Sequence, residues 1–167
     1  MPEPVSSIVV FRILHRFSIM SPLIIDFHTH IFPPWLRERR DEYIKSDPCF
    51  GSLYSGPRAK MATAEELVAG MDEAGIDMSV VLNIGWASHQ LCVQTNEYIL
   101  DSVSRHPTRL IGFCAIQPKA GDAAIAEMER CAAAGARGIG ELRSDMQGFD
   151  LSDERTMHPM IDAAMKH

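Results

Sequence analysis

The sequence predicts an α/β fold of four parallel strand–helix units, which corresponds to the first half of a TIM-barrel-like (β/α)8 fold. Two observations support it. Apolar runs of strand length alternate with segments of helical periodicity, and polar residues suited to chemistry follow the first and the fourth run. Eight units of this length need roughly 290 residues, so residues 23–167 hold half a barrel. A four-stranded open sheet is the alternative, and the polar strand ends favour the half barrel.

The first unit starts with a strand over residues 23–28, because a short apolar run there matches a buried strand. Thr63 and Glu66 have the spacing of a capping box and start the following helix, which Gly75 ends. Pro159 is predicted to begin the last helix, since the first helical position needs no N–H donor. Between them we expect strand 78–84, helix 90–105, strand 110–116, helix 122–135 and strand 136–142.

Composition and charge exclude several classes of protein. The chain of 167 residues carries 22 acidic and 16 basic side chains, and this acidic balance argues against a nucleic-acid partner. No stretch reaches the ~20 uninterrupted apolar residues of a membrane span. The four cysteines form no C-x-x-C pair, which is typical of free thiols in a reducing compartment, so we expect a cytoplasmic protein.

Residues 1–19 are predicted to be an extension of a domain that spans residues 20–167, with Met20 as an alternative start. A signal peptide is not expected, because Glu3 stands where a basic residue is required. The alternative for this segment is a short helix or strand that closes the bottom of the fold.

His28 and His30 are the strongest functional signal in the sequence. Side chains at i and i+2 of a strand point to the same face, so both imidazoles are expected to project from the carboxyl end of the first strand. Neutral imidazole binds zinc and similar divalent metals, and barrels place their active sites at this end. Asp26 shares the face and is a candidate to orient a histidine. The alternative is two polar residues that close a strand and bind no metal.

Glu141 is the second signal, at the end of the fourth strand. It follows Gly138 and Gly140, whose small size allows a close backbone approach. A carboxylate in this position is a candidate third ligand of the same metal. The alternative is a glutamate on the rim that pairs with Arg137 or Arg143.

Residues 31–62 form a connection much longer than usual, and such loops are commonly lids or binding loops. We expect this segment to be a mobile cover. Its Trp35 and Arg37, placed above a metal, suggest a small apolar or aromatic substrate that carries a carboxylate. The alternative is a solvated, charged helix over residues 36–45 that packs on the rim of the barrel.

Trp86 and His89 follow the second strand and are the other candidate substrate-binding residues. Their loop is expected on the same face as the histidines, because loops after parallel strands meet at one end of a barrel. A helix-capping or solvent role is the alternative for His89.

The motifs resemble those of the amidohydrolase superfamily. The resemblance rests on D-F-H-T-H-I-F-P at positions 26–33, G-I-G-E-L at positions 138–142 and D-x-Q-G-F at positions 145–149. It is nearest to the amidohydrolase-related branch that contains aminocarboxymuconate semialdehyde decarboxylase-like enzymes. Relatives often have His-Pro after the Glu-Leu pair, where this chain has Arg143 and Ser144.

The resemblance implies a metal-dependent hydrolase fold with His28 and His30 as the first two ligands and Glu141 as a candidate for the next. It also implies one or two divalent ions, with zinc expected, and further ligands and a general base from later strands, beyond His167. Hydrolysis of an amide, ester or lactone is the expected reaction. The alternatives are a non-oxidative decarboxylase of the same branch and a truncated half barrel without catalytic activity.

Self-association is expected from the predicted half barrel. A closed barrel removes its sheet edges by pairing its last strand with its first. Four strands alone leave two edges and one apolar face without a partner, and such surfaces favour oligomers or aggregation.

Overall fold

The computed structural model describes residues 22–167 and confirms the predicted α/β fold. Four parallel strands form one sheet in the order β1-β2-β3-β4. The strands are β1 (Ile25–His30), β2 (Met78–Leu82), β3 (Leu110–Cys114) and β4 (Gly138–Ile139). Sequential order and a single strand direction are what half of a (β/α)8 barrel requires. The predictions for residues 1–19 and Met20 lie outside the described residues.

Helices connect the strands and cover one side of the sheet. They are α1 (Pro34–Glu38), α2 (Arg40–Ser46), α3 (Pro48–Tyr54), α4 (Ala64–Ala74), α5 (His89–Arg105), α6 (Asp122–Ala133), α7 (Ser144–Gln147) and α8 (Glu154–Ala164). The capping box before α4 is present, with Thr63 accepting from the Glu66 amide and the Glu66 carboxylate accepting from the Thr63 amide. Gly75 ends α4 with a φ of 70°. Both local predictions are confirmed.

Several predicted boundaries are wrong. β2 and β3 end two residues earlier than expected, and β4 covers only Gly138–Ile139 instead of residues 136–142. β1 covers residues 25–30, not 23–28, so His30 lies inside the strand and not two residues beyond it. The last helix begins at Glu154 and contains Pro159, because the Asp153 side chain caps it by accepting from the Arg155 amide. The lost hydrogen bond at the proline is offset by burial of apolar side chains on the inner face of α8.

The long connection 31–62 is folded, not an extended loop. It forms α1, α2 and α3, and its side chains build an aromatic core with the loop after β2. Phe50 stacks on Trp86 with ring centroids 5.3 Å apart, and Tyr54 stacks on Phe50 at 4.9 Å. Leu36 is fully buried while Arg39 stays exposed, so the alternative of a charged helix packed on the rim describes this segment in part, as the two short helices α1 and α2. The mobility expected for this segment stays a prediction.

The inner face of the sheet differs from the covered side. Phe27 of β1 is 67% exposed, and its ring meets the edge of Phe113 of β3 at 6.2 Å. A side chain on Gly138 would lie 2.7 Å from the Phe113 ring, so only glycine lets β4 pack here.

None of the helices in residues 22–167 is long and apolar enough to cross a membrane.

Candidate metal centre

The side chains of His28, His30 and Glu141 converge at the carboxyl end of the sheet. The two histidine Nε2 atoms are 3.1 Å apart. Glu141 Oε2 lies 3.3 Å from Nε2 of His28 and 3.8 Å from Nε2 of His30. The structure therefore brings together the three residues that the sequence singles out as candidate metal ligands.

The end of β1 is shaped so that both imidazoles face this point. The pairing of β1 with β2 changes register between Asp26 and Thr29, which turns the end of the strand. The Thr29 hydroxyl donates to the Val80 carbonyl at 2.8 Å and fixes the strand after the irregularity. The His30 ring then stacks on the buried ring of Phe32, with centroids 6.4 Å apart.

Glu141 reaches the histidines because its backbone is held against the ends of β2 and β3. The Glu141 amide donates to the Asn83 carbonyl at 3.2 Å, and the Gly140 amide donates to the Cys114 carbonyl at 3.0 Å. Arg143 pairs with Asp145 at 2.9 Å. The alternative of an ion pair between Glu141 and Arg143 is therefore not what the structure shows.

The environment of His30 favours neutral imidazole, the form that binds metals. Burial lowers the pKa of His30 below its usual value, and the nearby His28 lowers it further, while the Glu141 carboxylate opposes both. Nδ1 of His30 is buried and has no hydrogen-bond partner within the described residues. His28 is the exposed member of the group, and Glu141 is partly buried.

The spacing of the three atoms fits a divalent ion. Points separated by 3.1, 3.3 and 3.8 Å lie on a circle of radius about 2.0 Å, which matches the ~2.0–2.2 Å of zinc–nitrogen and zinc–oxygen bonds. Two imidazoles and a carboxylate also form a common ligand set for divalent transition metals. The residues present therefore fit a metal without rearrangement.

Asp26 does not orient a histidine ring. Its Oδ1 accepts from the backbone amide of His28 at 3.3 Å, so the carboxylate supports the strand irregularity. The expected contact between Asp26 and an imidazole is not present in the structure, where the register of β1 changes between Asp26 and Thr29.

The structure contradicts the predicted substrate contact of Trp86. Its side chain is fully buried against Phe50, and its Nε1 donates to Asn83 Oδ1 at 2.7 Å. His89 is the first residue of α5, whose cap is the Ser88 hydroxyl, so the capping alternative for His89 is also wrong. A substrate role for His89 stays a prediction.

Trp35 and Arg37, the candidates from the long connection, lie outside the group of three ligands. Trp35 packs its ring on the edge of Tyr43 at 5.8 Å. Arg37 forms an ion pair of 2.6 Å with Glu66 at the start of α4. Their contacts with a substrate stay predictions.

The sequence interpretation missed a set of buried amide side chains beneath the site. Gln147 accepts from the Arg143 amide and donates to the carbonyls of Trp86 and Ile116. Gln117 donates to the Ala87 carbonyl at 2.9 Å. The other two members are Asn83 and Asn96. The one sequence signal is a polar residue directly after an apolar strand, as at Asn83.

These features define a half barrel with a candidate metal site at its mouth, and comparison with known proteins identifies the family. The family model described as Amidohydrolase matches residues 25–167, and the chain belongs to that family. This confirms the resemblance given by the motifs. No curated protein matches the chain.

Solved structures of larger enzymes share this fold. A manganese-bound 5-carboxyvanillate decarboxylase from Novosphingobium aromaticivorans is 21% identical, with a TM-score of 0.72, over 86% of this chain and 47% of that chain. The 5-carboxyvanillate decarboxylase of Sphingomonas paucimobilis is also 21% identical, with a TM-score of 0.62, over 87% and 50%. A manganese-bound dihydroxybenzoic acid decarboxylase from a Polaromonas species is 20% identical, with a TM-score of 0.54, over 86% and 47%. The chain thus spans about half the length of these structures.

Proposed function

We propose that His28, His30 and Glu141 bind a divalent metal ion in an enzyme that removes carbon dioxide from a carboxylated aromatic substrate. The observation that carries the proposal is the triangle of ligand atoms, whose edges of 3.1, 3.3 and 3.8 Å fit one ion. The family supports metal-dependent chemistry. Zinc and manganese both suit two nitrogen donors and one carboxylate.

Decarboxylation replaces hydrolysis as the preferred reaction. The support for this is that several solved structures with the same fold are decarboxylases of aromatic acids, two of them with bound manganese.

The residues of this chain divide the work at the site. The ion, when bound, supplies a positive charge that polarises a substrate oxygen and stabilises developing negative charge. His28 and His30 offer nitrogen lone pairs from one rigid strand. Glu141 brings a negative charge from the opposite side, which balances part of the charge of the ion. Burial lowers the pKa of His30, which favours the neutral imidazole that binds metals.

Metal binding is the first test. We expect the chain to hold about one Zn2+ or Mn2+ per molecule, and a His28→Ala/His30→Ala variant to lose it, because two of three ligands are gone. A His158→Ala/His167→Ala variant is the matched control, since it removes two exposed histidines outside the site. Equal metal content in the chain and the His28→Ala/His30→Ala variant, measured by elemental analysis after dialysis, would contradict the proposal.

The reaction is the second test. In a form of the protein that also contains the expected later strands, 5-carboxyvanillate and dihydroxybenzoates, supplied with Mn2+ or Zn2+, are expected to release carbon dioxide in a manner that depends on both histidines. Aryl esters and lactones serve as substrates for the competing hydrolysis. Metal-dependent ester or lactone cleavage without release of carbon dioxide would overturn decarboxylation and favour the hydrolase.

A further inference from the structure

We infer that Asn83 is a positioning residue that holds the histidine side and the glutamate side of the metal centre at a fixed separation. Asn83 follows the last residue of β2 and is fully buried. The inference rests on the proposed function, because it concerns the same three ligands. Asn83 touches none of the ligand nitrogens or oxygens, so it acts through the backbone that carries them.

One residue contacts both sides of the site. The Asn83 side-chain amide donates from Nδ2 to the carbonyl of Ile31 at 2.9 Å, and Ile31 directly follows His30. The backbone carbonyl of Asn83 accepts from the amide of Glu141 at 3.2 Å. Asn83 therefore bonds to the residue after β1 through its side chain and to Glu141, after β4, through its backbone carbonyl.

The side chain also fixes the orientation of that peptide. Asn83 Oδ1 accepts from the Ile84 amide at 3.1 Å and from Trp86 Nε1 at 2.7 Å. These partners fix which way the Asn83 side-chain amide is oriented. Its NH2 group must face the Ile31 carbonyl, which can only accept, and its oxygen must face the two N–H donors. Leucine can make none of these bonds, and a serine hydroxyl is too short to span them.

The consequence is a preset ligand triangle. Outer residues that orient metal ligands typically change metal affinity by 10–100-fold when they are replaced. Without the Asn83 side chain, the turn at residues 83–86 can relax, and Glu141 moves with it relative to His30. Binding of an ion then has to offset the free energy needed to return the Glu141 carboxylate to its position, so the affinity for the ion is lower.

Asn96 offers a matched comparison. It is also fully buried, and it donates to the Ala115 carbonyl at 2.9 Å and accepts from the Ala115 amide at 2.7 Å. Its side-chain amide therefore makes similar hydrogen bonds, between α5 and the residue after β3. It reaches the metal centre from one side only, because the Ala115 amide belongs to the same peptide unit as the Cys114 carbonyl, which accepts from the Gly140 amide. Its side chain makes no hydrogen bond to the end of β1.

The test measures Zn2+ affinity of the full chain by competition with a chromophoric chelator, in folded samples of Asn83→Leu and Asn96→Leu. We expect a dissociation constant at least tenfold higher for Asn83→Leu. Asn96→Leu is expected to lose similar stability and to keep its dissociation constant within about threefold of the unchanged chain, since Asn96 contacts only one of the two sides that carry the ligands. An Asn83→Leu affinity equal to that of the unchanged chain, or an equal loss in both variants, would overturn the inference.

Two further measurements keep the test decisive. Asn83→Ser is the milder variant if leucine prevents folding, and a tenfold loss is again expected. In the unchanged chain, Zn2+ should slow hydrogen exchange of the Glu141 amide and the Trp86 indole N–H together, while the Trp35 indole is unaffected. If Zn2+ does not slow exchange of the Glu141 amide and the Trp86 indole N–H, the role of Asn83 is contradicted. Failure of the unchanged chain to bind Zn2+ contradicts the proposed function instead.

Discussion

β1 and β2 are neighbours in one sheet, yet they are built for different tasks. β2 is buried from Ser79 to Leu82, because strands flank it on both sides and helices cover it. β1 pairs only with β2 within residues 22–167, and half of its residues are exposed. The candidate ligands lie at the ends of β1 and β4, the outer strands, and not on the central pair.

The difference shows how an open site obtains a defined geometry. Ligands must be reachable, so they cannot sit in a tightly packed centre. In the inference drawn above, their positions are instead held by a buried polar side chain after a central strand, Asn83 after β2, which donates to the carbonyl of the residue after His30. Stability and chemistry are thus separated between neighbouring strands.

The largest expected effect compares one phenylalanine from each region. Phe50→Ala should lower the free energy of unfolding by about 3–5 kcal/mol, because a fully buried ring is lost from the aromatic core. Phe27→Ala should cost about 1 kcal/mol or less, since that ring is 67% exposed and loses mainly its contact with Phe113. Urea unfolding followed by circular dichroism at low protein concentration measures both.

Similar losses for the two variants would show that the inner face of the sheet is as well packed as the helical side. The comparison between the covered and the open side of the sheet would then be wrong.

Local patterns predicted what depends on neighbouring residues in the chain. The capping box of Thr63 and Glu66 and the shared face of His28 and His30 follow from spacings of a few residues, and the structure contains both. The meeting of Glu141 with the histidines was left open by the residues alone. It followed from the parallel topology, which places the ends of β1 and β4 at one mouth.

Distant contacts could not be predicted in this way. Asn83 finds its acceptor 52 residues away, and Gln147 reaches Trp86 across 61 residues. Trp86 was misplaced as a substrate contact because its burial depends on Phe50, in a segment without a clear helical period. The start of α8 was missed because the preference of proline for a helix start, applied to Pro159, competes with a stronger capping residue, Asp153, earlier in the chain.

The second effect concerns a buried carboxylate on the covered side. Burial raises the pKa of Glu127, but hydrogen bonds from Arg130, Asn96 and Cys131 outweigh it, so the pKa lies below its usual value. A lowered folded-state pKa stabilises the protein above the unfolded value of about 4.3, and this contribution is lost as the pH falls below it.

We expect Glu127→Gln to cost about 2 kcal/mol at pH 7 and less at pH 3, because the contribution of the charged form declines as the pH falls below the unfolded value. Urea unfolding at both pH values measures the difference. Glu129→Gln, on the exposed side of the same helix, is the control and should have little effect at either pH. A cost for Glu127→Gln that does not change with pH would contradict the role of its charge.

The smallest expected effect concerns association through the open side. Leu23, Ile24 and Phe27 are exposed apolar side chains on or next to β1, whose second edge has no strand partner within residues 22–167. We expect two copies of the chain to associate through this surface, since exposed sheet edges and apolar patches favour pairing.

Phe27→Ala should weaken the dimer by about tenfold, which corresponds to about 1.4 kcal/mol for an aromatic side chain in the interface. Leu53→Ala removes another exposed apolar side chain, on α3, and should leave the dimer unchanged. Sedimentation equilibrium over a range of concentrations measures the dissociation constants. A chain that stays monomeric, or an equal loss in both variants, would show that the open side of the sheet does not drive association.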